Sequence, residues 1–118
     1  MKTYYLNETL KYPNHRQIFT DGSKINEKVG CAAVQGDHIK SCRLPNDASI
    51  HSAELWAIKL ALEIISAEND HKFLICSDSS SAIQTIMDRE TNNPLATSII
   101  NTVDYLKSIV KDHHSMDP

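Results

Sequence analysis

The stretch Ile18–Lys24 reads IFTDGSK. Ile18 and Phe19 are apolar and Thr20 is β-branched, a composition that suits a strand. Asp21 then stands where the apolar run meets Gly22 and Ser23. Asp-Gly-Ser is ordinary turn chemistry. A carboxylate at a strand end also suits a group placed there to hold something. The two readings separate only when the rest of the chain is arranged around this segment.

Downstream, Gly22–Lys28 is a polar loop, and Val29–Gln35, VGCAAVQ, reads as a second strand. Gly36-Asp37 is a two-residue turn signal leading into a third strand, His38–Leu44. Ser49 is an N-cap candidate for a helix over Ile50–Ala67, where Leu55, Ile58, Leu62 and Ile65 recur at spacings of three and four. Trp56, Leu60 and Ile64 widen the apolar face of that helix, which predicts burial on more than one side. Lys72–Ser77, KFLICS, is a short apolar run of the kind covered on both faces, and it too ends in an acid, Asp78. Ser79 or Ser80 then caps a helix through Met87, and Pro94 opens a last helix to about Lys111. This order predicts an α/β fold: a mixed sheet with antiparallel strands 1-2-3, a parallel strand 4 beside strand 1, and helices packed on it.

With strands 1 and 4 adjacent and parallel, Asp21 and Asp78 leave the same sheet edge, the C-terminal one where α/β sheets place ligands. Glu54, in the first turns of the long helix among Ala53, Leu55 and Ala57, is a third acid in apolar company. Each has a plain structural reading by itself: a turn residue, an acid favoured by the helix dipole, an acid at a helix start. Together they would repel one another unless a divalent cation intervened. Oxygen-only ligands select hard ions, Mg²⁺ with Mn²⁺ as substitute. Two such ions about 3.5–4 Å apart would form a clamp for phosphoryl displacement.

At this point the chain resembles the ribonuclease H family. IFTDGSK is similar to its first strand and first acid, SAELWAIKLAL to the helix carrying its glutamate, and ICSDSSSAI to its fourth strand and next aspartate. Within the family, the style of these motifs is most similar to domains of non-LTR retrotransposon polyproteins, where a reverse transcriptase precedes the domain. The resemblance implies Mg²⁺-dependent endonucleolytic cleavage of the RNA strand of RNA–DNA hybrids, with Asp21, Glu54 and Asp78 as catalytic metal ligands. It implies that Gly22 and Ser23 approach the scissile phosphate and that His51 and Ser80 lie in the minor groove of the hybrid, where the 2′-OH marks RNA. The chain departs from the family after Lys111. A fifth strand, a histidine loop and a fourth acid are missing, neither Asp112 nor Asp117 has the context of that acid, and His113 and His114 read as solvated tail residues. The missing strand predicts an open apolar edge at residues 72–77 that invites self-association.

Composition sets the outer bounds. The chain has 118 residues, 23% charged and 41% apolar, which fits one globular domain. We divide it into a leader or linker over 1–15, a truncated ribonuclease H-like domain over 16–111 and a flexible tail over 112–118. A net charge of −3 argues against a non-specific nucleic-acid coat. Three cysteines without a CxxC spacing suit small buried thiols in a reducing compartment, and no run approaches the ~18 apolar residues of a membrane span. An intracellular site, cytoplasm or nucleus, follows as the expectation. Two further functions stay open: a non-catalytic nucleic-acid-binding or assembly module on the same fold, and a phosphohydrolase using Asp-Gly-Ser. The second is disfavoured because Phe19 and Ser23 stand where such enzymes carry another aspartate.

Overall fold

The computed structural model describes residues 4–5, 16–67 and 73–115, with the backbone alone described at 4–5 and 107–115. Among the described residues five strands form one sheet: β1 (Tyr4–Tyr5), β2 (Arg16–Ile25), β3 (Lys28–Gln35), β4 (His38–Leu44) and β5 (Phe73–Ser77). Three helices accompany them: α1 (Ile50–Ala67), α2 (Ser80–Met87) and α3 (Pro94–Ser115). The sheet order is β1-β5-β2-β3-β4. β2, β3 and β4 are antiparallel neighbours, and β5 lies parallel to β2. This is the mixed sheet expected from the sequence, with the predicted strands 1 to 4 realised as β2, β3, β4 and β5.

Alternation of burial along β2 assigns its two faces. Ile18 and Thr20 are buried, whereas Phe19 and Asp21 face outward. The helices cover the first of these faces. Ile18, Cys31, Ala33, Phe73 and Ile75 from the sheet meet Leu55, Ile58, Leu62 and Ile65 of α1, together with Ile83 and Ile99 from the other two helices. α1 is buried over ten positions, because the sheet lies beneath it and α3 beside it. Ser49 caps it: the Ser52 N–H donates to Ser49 Oγ at 3.0 Å. Trp56 packs against the core, with Lys59 Nζ 5.0 Å from its ring centre.

Several local expectations are corrected. The loop expected over Gly22–Lys28 is a two-residue turn, Asn26–Glu27, because β2 continues to Ile25 in register with β3. Asn26 takes φ 58° and Gly36 φ 59°, left-handed positions that tight hairpin turns demand and that asparagine and glycine tolerate. Asp21 is thus in mid-strand rather than at a strand end. The edge of β5 is not bare either. Tyr4 pairs with Ser77 and Tyr5 with Cys76, so the position that a following strand would take is occupied from the N-terminal side. The premise of an open edge therefore fails at Ser77 and Cys76. α3 runs through Ser115, past the expected end near Lys111, so residues 112–115 are helical in backbone. Cys31 and Cys76 are buried free thiols, but Cys42 is exposed. Pro13, His71, Lys72 and Asp117 lie outside the described residues, and the side chains of Asp112, His113 and His114 are likewise outside the description.

Leu55 is fully buried in the centre of this core. Replacing it with alanine should cost about 2–5 kcal/mol in urea unfolding. An unchanged midpoint would show that α1 is not seated as described.

Candidate metal centre

The parallel ladder between β2 and β5 ends with Thr20 paired to Ser77. Asp21 and Asp78 are the next residue on each chain. Neighbouring strands are about 4.8 Å apart, so the register alone brings the two aspartates side by side where the strands part. Beyond this point β2 continues with β3 alone, while the other chain turns away into α2. Hydrogen bonds secure both departures. The Thr20 hydroxyl donates to the Cys76 carbonyl at 3.2 Å. The Ser79 N–H donates to Ser77 Oγ at 3.1 Å, and Ser79 then caps α2 by accepting from the Ala82 N–H at 3.2 Å. Asp78 is held between these two serines.

Glu54 arrives from α1, and Gly22 decides how near it comes. A Cβ at Gly22 would lie 2.6 Å from the Glu54 nitrogen and 2.7 Å from the Ala53 carbonyl carbon. The helix backbone therefore rests directly on the glycine. The Gly22 N–H donates to Glu54 Oε1 at 2.6 Å, which orients the carboxylate. One ligand oxygen from each of Asp21, Glu54 and Asp78 falls within 4.8 Å of the other two.

Electrostatics marks the cluster as unbalanced. Burial pushes the Glu54 carboxyl up to about 7; the Gly22 N–H opposes the rise, and the charges of Asp78 and Asp21 add to it. Asp21 is also raised, first by burial and then by Asp78. A set of hard oxygen donors under mutual repulsion is what a divalent cation neutralises, so the residues present fit such an ion.

The other expected site residues divide. Gly22 lies against Glu54, and Ser23 is exposed on β2 two residues beyond Asp21. Ser80 opens α2 just after its cap. His51 is drawn toward α2, with Nδ1 3.3 Å from Ser81 Oγ and Nε2 3.2 Å from Thr85 Oγ1. Both ring nitrogens are occupied within the protein, so the histidine clips α1 to α2.

Gly22→Ala should lower the melting temperature beyond an ordinary strand substitution and weaken divalent-ion binding, because α1 must lift away from β2; a variant matching wild type in both would refute the close seating. For Glu54, the ordinary value of 4.5 lies below the folded value of about 7. The folded, metal-free protein then holds this proton more tightly than the unfolded chain. The resulting stabilisation is full below pH 4.5 and is lost as pH rises through 7. Unfolding free energy measured in chelator should fall over that window by on the order of 3 kcal/mol, and Glu54→Gln should flatten most of the decline.

Comparisons with known proteins agree with this arrangement. The RNase H family model matches residues 13–116. A comparison with curated proteins gives no match. Among solved structures, the fold is similar to that of RNase H1 from the halophilic archaeon Halobacterium salinarum, with a TM-score of 0.51, 20% identity, and 79% of this chain and 76% of that one covered. The family match spans most of the chain and places it in the ribonuclease H family.

Proposed function

We propose that this domain is a metal-dependent endonuclease that hydrolyses the RNA strand of RNA–DNA hybrids. The observation that carries the proposal is the convergence of Asp21, Glu54 and Asp78 oxygens within 4.8 Å at the point where β2 and β5 part. These residues would hold Mg²⁺, or Mn²⁺ in its place. A divalent cation supplies charge stabilisation at a phosphoryl group and a more acidic water. The chain contributes placement. Gly22 lets α1 descend and orients Glu54, Ser77 and Ser79 hold the Asp78 backbone, and the Thr20 hydroxyl ties β2 to β5 beside Asp21. Ser23 and Ser80, each two residues beyond an acid of the cluster in sequence, would meet substrate. His51 supports the site through α2.

The same motifs support reading the domain as part of a non-LTR retrotransposon polyprotein acting inside the cell. Among the described residues no helix is long and apolar enough to cross a membrane.

One observation favours a second reading. Among the described residues the acidic group contains three carboxylates, without a fourth. A fold retained for binding alone would show hybrid affinity without strand scission.

The test is incubation of the protein with an end-labelled RNA–DNA hybrid and Mg²⁺. We expect RNA fragments, an intact DNA strand, and a fall in Asp21→Asn to below about one hundredth of the wild-type rate. Hybrid binding without cleavage, unaltered by Asp21→Asn, would replace this reading with the second.

A further inference from the structure

A shallow groove crosses the sheet on the face opposite the helices, beginning at Asp21 and lined by Ser23, Gly30, Lys28, Ser41 and Arg43. Strand register explains why these residues share it. Ser23 pairs with Gly30 and Gly30 with Arg43, while Asp21 pairs with Ala32 and Ala32 with Ser41. Arg43 stands two strands from Ser23, roughly 10 Å away, and Asp21 roughly 7 Å along β2 from Ser23.

The floor of the groove is Gly30, and packing does not require a glycine there. A Cβ at this position would meet only the Cys42 carbonyl at 3.6 Å and Ser23 Oγ at 3.9 Å, ordinary contacts, and its φ is not left-handed. Glycine inside a strand weakens the strand and commonly marks close approach of another backbone. Two cations flank this bare floor. Among the described residues, Arg43 has a single side-chain partner, the exposed Asn46 Oδ1 at 3.4 Å, and Lys28 has no ion pair. Charge on an edge strand can serve to prevent pairing with another chain, which would account for Arg43 on β4. It does not account for Lys28 or Gly30, which lie on the inner strand β3. Glu27, in the adjoining turn, does not line the groove.

We propose that this groove holds the sugar–phosphate backbone of one strand of the hybrid as it leaves the acidic cluster, with Lys28 and Arg43 on its phosphates and Gly30 as the floor that admits it. This rests on the nuclease reading above and extends it by a binding track running from Asp21 toward β4. Non-bridging phosphate oxygens accept from the guanidinium and ammonium groups, and the contacts carry no base information.

Binding of a fluorescent RNA–DNA hybrid, followed by anisotropy across a salt series, tests the proposal. Ca²⁺ replaces Mg²⁺ and strand integrity is checked on a gel. The joint variant Lys28→Ala with Arg43→Ala should weaken binding on the order of tenfold or more and reduce the slope of log affinity against log salt by about two. Gly30→Val should weaken binding while melting at or above the wild-type temperature, because a β-branched residue suits a strand. That combination is one a merely structural glycine would not give. Wild-type affinity and salt slope in both variants would overturn the groove and leave the nuclease reading intact. Absence of hybrid binding by the wild-type chain would overturn both.

Discussion

The close seating of α1 on β2 at Gly22 is the constraint on which the site depends. Glu54 belongs to the helical layer, whereas Asp21 and Asp78 leave the sheet. A helix separated from the sheet by an ordinary side chain would keep the glutamate away from the aspartates. With hydrogen in place of Cβ, the Ala53–Glu54 backbone drops onto the strand, and the Gly22 N–H bonds the carboxylate it has admitted. One missing methyl group thus turns two separate features, a strand with an acid and a helix with an acid, into one cluster. The cost is electrostatic: desolvation and two neighbouring carboxylates lift Glu54 far above its usual range. Packing elsewhere holds the site together against this repulsion, chiefly the α1 residues buried against β2, β3 and α3.

Much of this was legible from residues alone, for identifiable reasons. The ends of α1 were plain because Ser49 is a capping residue and its apolar spacing runs unbroken from Leu55 to Ile65. The parallel neighbourhood of β2 and β5 followed from the helical crossover between them, and that placed Asp21 beside Asp78. Other features depended on contacts that no local pattern encodes. Asp21 looked like a strand end because Gly22 and Ser23 are turn-forming residues. Pairing with β3 overrides that preference and carries the strand to Ile25. The two-residue strand at Tyr4–Tyr5 has too few residues for alternation to register and exists only because β5 offers an edge. His51 looked free to meet a ligand because its partners, Ser81 and Thr85, lie some thirty residues away on another helix.

Gly22 and Gly30 show how the same residue type serves opposite ends. At Gly22 the protein fills the space itself, with helix backbone. At Gly30 the space stays open to solvent on the other face of the sheet. Both are strand glycines near Asp21, and only their surroundings in three dimensions distinguish one packed beneath a helix from one with room above it.

Three carboxylates must lie close enough to share a cation. Calorimetric titration with Mn²⁺ near pH 6.5, in two buffers of different ionisation heat, addresses this most directly. Saturable binding accompanied by proton release, from a Glu54 carboxyl that burial pushes up to about 7, is the expected result, and it should be lost in Asp78→Asn. Heats that never saturate, or binding that survives replacement of Asp21, Glu54 and Asp78 together, would contradict it.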